Sequence, residues 1–138
     1  MTQNPGRMID FVGSSLKDVQ KFPDEMKQMV GHALEMARAG LKHPDAKPLK
    51  CKHGASLMEL VLRFDGDAYR VVYTTRFVDA VYCLHAFKKK SHHGIATPER
   101  EIALIKKRFA DLQQSQKQQG SSNERPKRTS KQRRKRRK

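Results

Sequence analysis

LMELVLRFDGDAYRVVYTTRFVDAVYCLHAFKKK, residues 57–90, decides the architecture. Leu57–Phe64 alternates, with Met58, Leu60, Leu62 and Phe64 on one face and Glu59, Val61 and Arg63 on the other, the period of a half-buried strand. Asp65-Gly66-Asp67-Ala68 supplies turn chemistry, because Gly66 can take a positive φ without strain. Tyr69–Arg76 is rich in β-branched and aromatic residues, Phe77-Val78-Asp79 makes the next turn, and Ala80–Phe87 runs into Lys88-Lys89-Lys90. Connections this short join antiparallel neighbours, so the stretch predicts a three-stranded meander.

Outward from the meander, the N-terminal side is helical. An edge strand is expected around Met8–Val12. Ser14 or Ser15 can cap a short helix that turns Leu16 and Val19 inward. Pro23 suits the first position of the next helix, where Met26, Met29, Val30, Ala33, Leu34 and Ala37 recur at three and four. Gly40 ends that helix in the left-handed region, and residues 41–56 read as a basic loop. On the C-terminal side Thr97 is expected to cap a last helix, with Pro98 at its first position and Ile102, Ile105, Phe109 and Leu112 along one face. No apolar residue follows Leu112. The expected organisation is a domain over 1–112 and a disordered basic tail over 113–138.

Charge narrows the function classes. Of the formal +16, residues 121–138 hold ten Lys/Arg less one acid, or +9, which leaves +7 on residues 1–120. Such a field favours polyanions, nucleic acid first. No run of about 18 apolar residues exists and MTQNPGRMID lacks a signal-peptide core, so the expectation is a cytoplasmic protein that does not enter a membrane. Two cysteines without a paired framework suit a reducing compartment.

Four phrases carry a family likeness: HPDAKPLK at 43–50, FDGDAYRVVYTTRF at 64–77, AVYCLHAFKKKS at 80–91 and GIATPE at 94–99. Over roughly residues 10–112 the chain resembles the RelE/ParE toxin superfamily, in its HigB-like, phage-derived branch. The resemblance implies an α+β, RelE-like fold: two N-terminal helices, a three- or four-stranded antiparallel sheet and a C-terminal helix. It also implies a toxin of a type II toxin–antitoxin module, a metal-independent endoribonuclease that cuts messenger RNA on the ribosome and uses no cofactor. Its partners would be a helix-turn-helix antitoxin, the ribosome and mRNA. A gyrase-directed, ParE-like toxin and a non-catalytic RNA- or DNA-binding protein with a decayed site are the alternatives, since fold alone does not choose among them.

Metal-free RNA cleavage needs deprotonation of a 2′-hydroxyl, charge stabilisation on phosphate and a proton for the 5′-oxygen. Arginine suits the second task because its fork holds two phosphate oxygens. Arg70 matches the arginine of the RelE toxins' similar Tyr-Arg-Leu-Val-Tyr stretch, and alternation puts it with Arg63 on an open sheet surface, against the plain reading of a solvated strand arginine. Lys88, Lys89 and Lys90 stand where the RelE family has a basic cluster, though lysines also blunt strand ends. His85, His92 and His93 are candidates for proton transfer or RNA contact, and Tyr73 for stacking on a base, although a strand tyrosine is more often core. Three positions depart from RelE: Glu59 and Val61 replace catalytic lysines, and Ala96 stands about where an active-site tyrosine would be. The acid–base roles therefore do not transfer.

Cys51-x-His53 and Cys83-x-His85 make two C-x-H pairs, the latter expected on one strand face, but the spacing is not that of zinc ligands and no metal is expected. The tail, with Arg133, Arg134 and Arg136, reads as a nucleic-acid arm. Deleting residues 120–138 is expected to leave the thermal midpoint nearly unchanged while flattening the salt dependence of RNA binding. An unchanged salt slope would mean the arm does not touch RNA.

Overall fold

The computed structural model describes residues 8–49, 57–90 and 97–124. Met1–Arg108 makes one compact unit and Phe109–Lys138 a second. The strands of the first are β1 (Met8–Phe11), β2 (Ala46–Pro48), β3 (Leu57–Phe64), β4 (Asp67–Thr74) and β5 (Ala80–Lys90). They form one sheet in the order β1-β5-β4-β3-β2. The central three are the meander that alternation and turn chemistry predict. β4 begins and ends two residues earlier than its composition suggests, because the first turn needs only two residues. Asp65 (φ 54) and Gly66 (φ 85) both sit in the left-handed region, the signature of a tight primed hairpin turn, and Phe64 pairs directly with Asp67.

Five strands replace the expected three or four. β1 is the anticipated edge strand but runs parallel to β5, pairing Met8 with Ala80 through Phe11 with Cys83, so the sheet is mixed. β2 lies within the stretch read as a basic loop. Three residues ending in a proline show no alternation, and an edge position, here against Met58–Leu60 of β3, is where a sheet tolerates proline.

α1 (Ser15–Gln20) and α2 (Asp24–Arg38) cover one face of the sheet. Met26, Val30, Ala33, Leu34 and Ala37 of α2 are buried against Leu60, Leu62, Tyr69, Val71, Tyr73, Val81 and Cys83, with Met29, Met58 and Phe64 partly buried beside them. Leu16 does not turn inward as expected and is 43% exposed. Val19 does turn inward as expected, joined by Ser15 rather than Leu16 and, just past the helix, by Phe22; the Ser15 hydroxyl donates to the Cys83 carbonyl at 3.1 Å and so fixes the roll of this short helix. Pro23 falls at the N-cap rather than inside α2: its backbone is extended (ψ 150) and its carbonyl accepts from Lys27 N at 2.9 Å. Gly40, at φ 86, ends the helix as expected.

The last helix, α3, spans Glu99–Glu124 and carries residues of both units. Pro98 again precedes the helix, with its carbonyl accepting from Ile102 N at 3.0 Å. Ile102 and Ile105 are buried as their spacing predicts. The backbone stays helical to Glu124, past Leu112, where lack of apolar residues suggested the ordered part would stop. Gln, Lys and Ser carry only small helix penalties, so a helix already nucleated upstream continues through them. Residues 125–138, including Arg133, Arg134 and Arg136, lie outside the described residues.

Candidate functional site

Directly opposed residues share a sheet face, so Glu59 with Val72, Val61 with Arg70 and Arg63 with Ala68 define the face turned away from α1 and α2. Alternation places Arg70 and Arg63 there correctly. It does not reveal that part of this face is covered. Arg70 is only 2% exposed. Its Nη1 donates to Glu59 Oε2 at 2.9 Å and to Thr97 Oγ1 at 3.2 Å, while the Thr97 hydroxyl donates to the same Glu59 oxygen. The Arg70 Nε is buried with no partner. Thr97 thus serves the ion pair at the point where it was expected to cap α3. An open arginine ready for phosphate is not what this geometry presents. The carboxylate two residues along β3 neutralises the guanidinium, and the segment leading into α3 shields it. Arg63, nearer the hairpin turn, is exposed.

β5 carries the second polar cluster. Tyr73 pairs with Cys83 but Val72 pairs with His85, so Leu84 is an extra residue and the strand bulges there. The bulge sends Cys83 and His85 to opposite faces, where simple alternation had put them together. Cys83 lies in the core under α1. His85, also buried, faces α3: its Nε2 meets Glu101 Oε1 at 2.5 Å, its Nδ1 lies 3.4 Å from Arg108 Nη1, and its ring stacks on Phe87 with centroids 5.1 Å apart. A carboxylate only accepts, so the Nε2 side donates.

β1 covers the outer edge of β5 only as far as Cys83. Beyond it, a cleft of about 540 Å³ opens along the edge between α1 and the start of α3. It is lined by Asp18, Lys21 and Phe22, by Tyr69 and Lys88 from the helix-covered face of the sheet, and by His85, Phe87 and Glu101. Lys88 is half exposed, pairs with Asp67 at 3.5 Å and lies 6.0 Å over the Tyr69 ring.

Of the residues singled out from sequence, His85 and Lys88 therefore meet in the cleft. Lys89 stands on the opposite face of β5 from Lys88, the face of His85 and Phe87, beside Ala68. Tyr73 is 1% exposed in the core and cannot stack on a base; burial pushes its phenol pKa up. Lys90 ends β5, with its side chain outside the described residues, as are His92, His93, Cys51, His53 and Ala96. Sequence reasoning missed Lys21, Glu101 and Arg108. Glu101 reads locally as a first-turn acid favoured by the helix dipole, and nothing local links it to a histidine sixteen positions upstream.

Cys83 is not a nucleophile in this fold. Burial pushes its thiol up to about 12, only partly opposed by the hydrogen bond from Ser15. With Cys51 replaced by serine, Cys83 should resist thiol reagents until the chain unfolds. The same shift predicts alkaline weakening. The unfolded thiol ionises first, near 9.0, so the stability contributed by keeping it neutral is full below that pH and is lost progressively as pH climbs toward about 12. Denaturant midpoints measured across that window check the direction; a Cys83→Ala control should lose part of the slope.

Against known proteins, the family described as phage derived protein Gp49-like (DUF891) matches residues 17–110. No curated protein matches the chain. Among solved structures it is similar to a chain in the crystal structure of the toxin–antitoxin complex RelBE2 from Mycobacterium tuberculosis, with 20% identity and a TM-score of 0.37 over 62% of this chain and 94% of that one. Among the described residues no helix is long and apolar enough to cross a membrane.

Proposed function

The chain belongs to the phage-derived, Gp49-like family, and from that premise we propose that it is the toxin of a two-gene toxin–antitoxin module, a ribosome-dependent endoribonuclease that stops translation by cutting messenger RNA. The observation that carries the chemistry is the His85–Glu101 pair on the wall of an open cleft that also holds Lys21 and Lys88. Stacking surface and positive charge are what a single-stranded nucleotide needs, and Phe87 and the two lysines supply them. In the cleft the 2′-oxygen attacks its own phosphorus while its proton passes to the Glu101 carboxylate. The bond from phosphorus to the 5′-oxygen breaks, and that oxygen leaves with a proton from the Lys88 ammonium. The products are a 2′,3′-cyclic phosphate and a 5′-hydroxyl end. Lys21, Lys89 and Arg63 supply further positive charge for the RNA backbone.

The partner in this reading is a helix-turn-helix antitoxin from the neighbouring gene. A domain carrying +7 over residues 1–120 calls for an acidic surface to silence it. The test is a defined message translated by purified ribosomes. Cleavage only on translating ribosomes, leaving 5′-hydroxyl ends, is the expected result. Growth unaffected by the chain alone would remove the toxin reading, and inhibited supercoiling with intact messages would point to gyrase instead.

A further inference from the structure

Arg108 is engaged by nothing in the cleft chemistry above, yet it is held by three hydrogen-bonding partners beside it. Its Nη1 donates to the Leu84 carbonyl at 2.8 Å and faces His85 Nδ1 at 3.4 Å, while Nη2 donates to Ser14 Oγ at 3.2 Å. The chain passes so close at Gly13 (φ +58) that a Cβ there would stand 2.8 Å from Arg108 Cζ. None of these partners is a carboxylate, so the charge is not neutralised in the way that of Arg70 is. Arg108 is also absent from the residues lining the cleft; it stands behind His85.

A guanidinium can only donate. The nitrogen facing it, Nδ1, is therefore the acceptor of the ring, and the single proton of a neutral imidazole sits on Nε2, toward Glu101. We infer that Arg108 is a positioning residue: it holds His85 as the Nε2–H tautomer, and through that ring it aims the Glu101 carboxylate into the cleft. The β5 bulge makes this possible. It frees the Leu84 carbonyl to anchor the guanidinium and rotates His85 to the same side. One Glu101 oxygen is then tied to His85, and the other lies 3.8 Å from Nε of the exposed Arg100. The catalytic part of this inference rests on the reading of the cleft as an RNA-cleaving site; the tautomer does not.

The experiment uses the full chain with nitrogen-15 in its histidines, the His85 signals being assigned with His85→Gln. At mildly alkaline pH the wild type should show an unprotonated Nδ1 and a proton on Nε2 in slow exchange. Arg108→Met should release the ring, broadening or losing that proton, and slow single-turnover cleavage ~10²-fold with ribosome association unchanged, the scale of a misplaced catalytic group. Arg108→Lys, which also only donates, should recover part of both. A wild-type ring protonated on Nδ1 overturns the inference even if the Met variant cannot be folded, as does a Met variant with unchanged spectrum and rate. Should the wild type show the expected ring but cut no message, the positioning stands and the cleavage reading falls.

Discussion

Arg70→Ala is expected to cost the domain most of its stability. The substitution leaves Glu59 charged, buried and without its counter-ion, with only the Thr97 hydroxyl still donating to it. Removing one partner of a buried pair typically costs ~3–5 kcal/mol. For a domain of this size each kcal/mol moves the midpoint by about 4–8 °C, so a fall on the order of 20 °C should appear in a thermal melt. Replacing both charges with apolar residues of similar volume, Glu59→Leu with Arg70→Met, should recover much of the loss, since the cost lies in the orphaned charge more than in the lost attraction. A single Arg70→Ala variant melting with the wild type would mean that the side chain is not sealed by Thr97. The double variant also separates chemistry from folding: if it folds and still cleaves, Arg70 has no part in the reaction.

Glu101→Gln is expected to do the opposite, leaving the fold intact and removing the activity. Glutamine matches the shape and still offers an oxygen to the His85 Nε2–H, so the 2.5 Å contact survives in kind. What it cannot do is accept a proton. Loss of a positioned general base typically lowers rate by ~10²–10⁴-fold. Single-turnover cleavage should fall by that factor, with thermal midpoint, antitoxin binding and ribosome association little changed. His85→Ala should also slow the reaction, but with some loss of packing against Phe87. Wild-type cleavage by Glu101→Gln would exclude the cleft as the reaction centre.

The sequence by itself determined the meander, the apolar stripe of α2, the sharp turn at Gly66, the family, and the face of β3 and β4 on which Arg63 and Arg70 stand. These are local matters: a two-residue period, a 3.6-residue period and a glycine-dependent turn are readable wherever they occur. β2 was not readable, because three residues hold too little pattern and its pairing is imposed by β3. The burial of Arg70 belonged to the tertiary structure alone. Alternation says which face a side chain takes, and what covers that face is decided by a segment twenty-seven residues away. The same holds for the bulge at Leu84. One extra residue in β5 reverses the orientation of everything after it, parting His85 from Cys83 and bringing it to Glu101 and Arg108. Charges and histidines can be counted in a sequence; which of them is sealed by a counter-ion and which lines an open cleft depends on contacts between elements far apart along the chain.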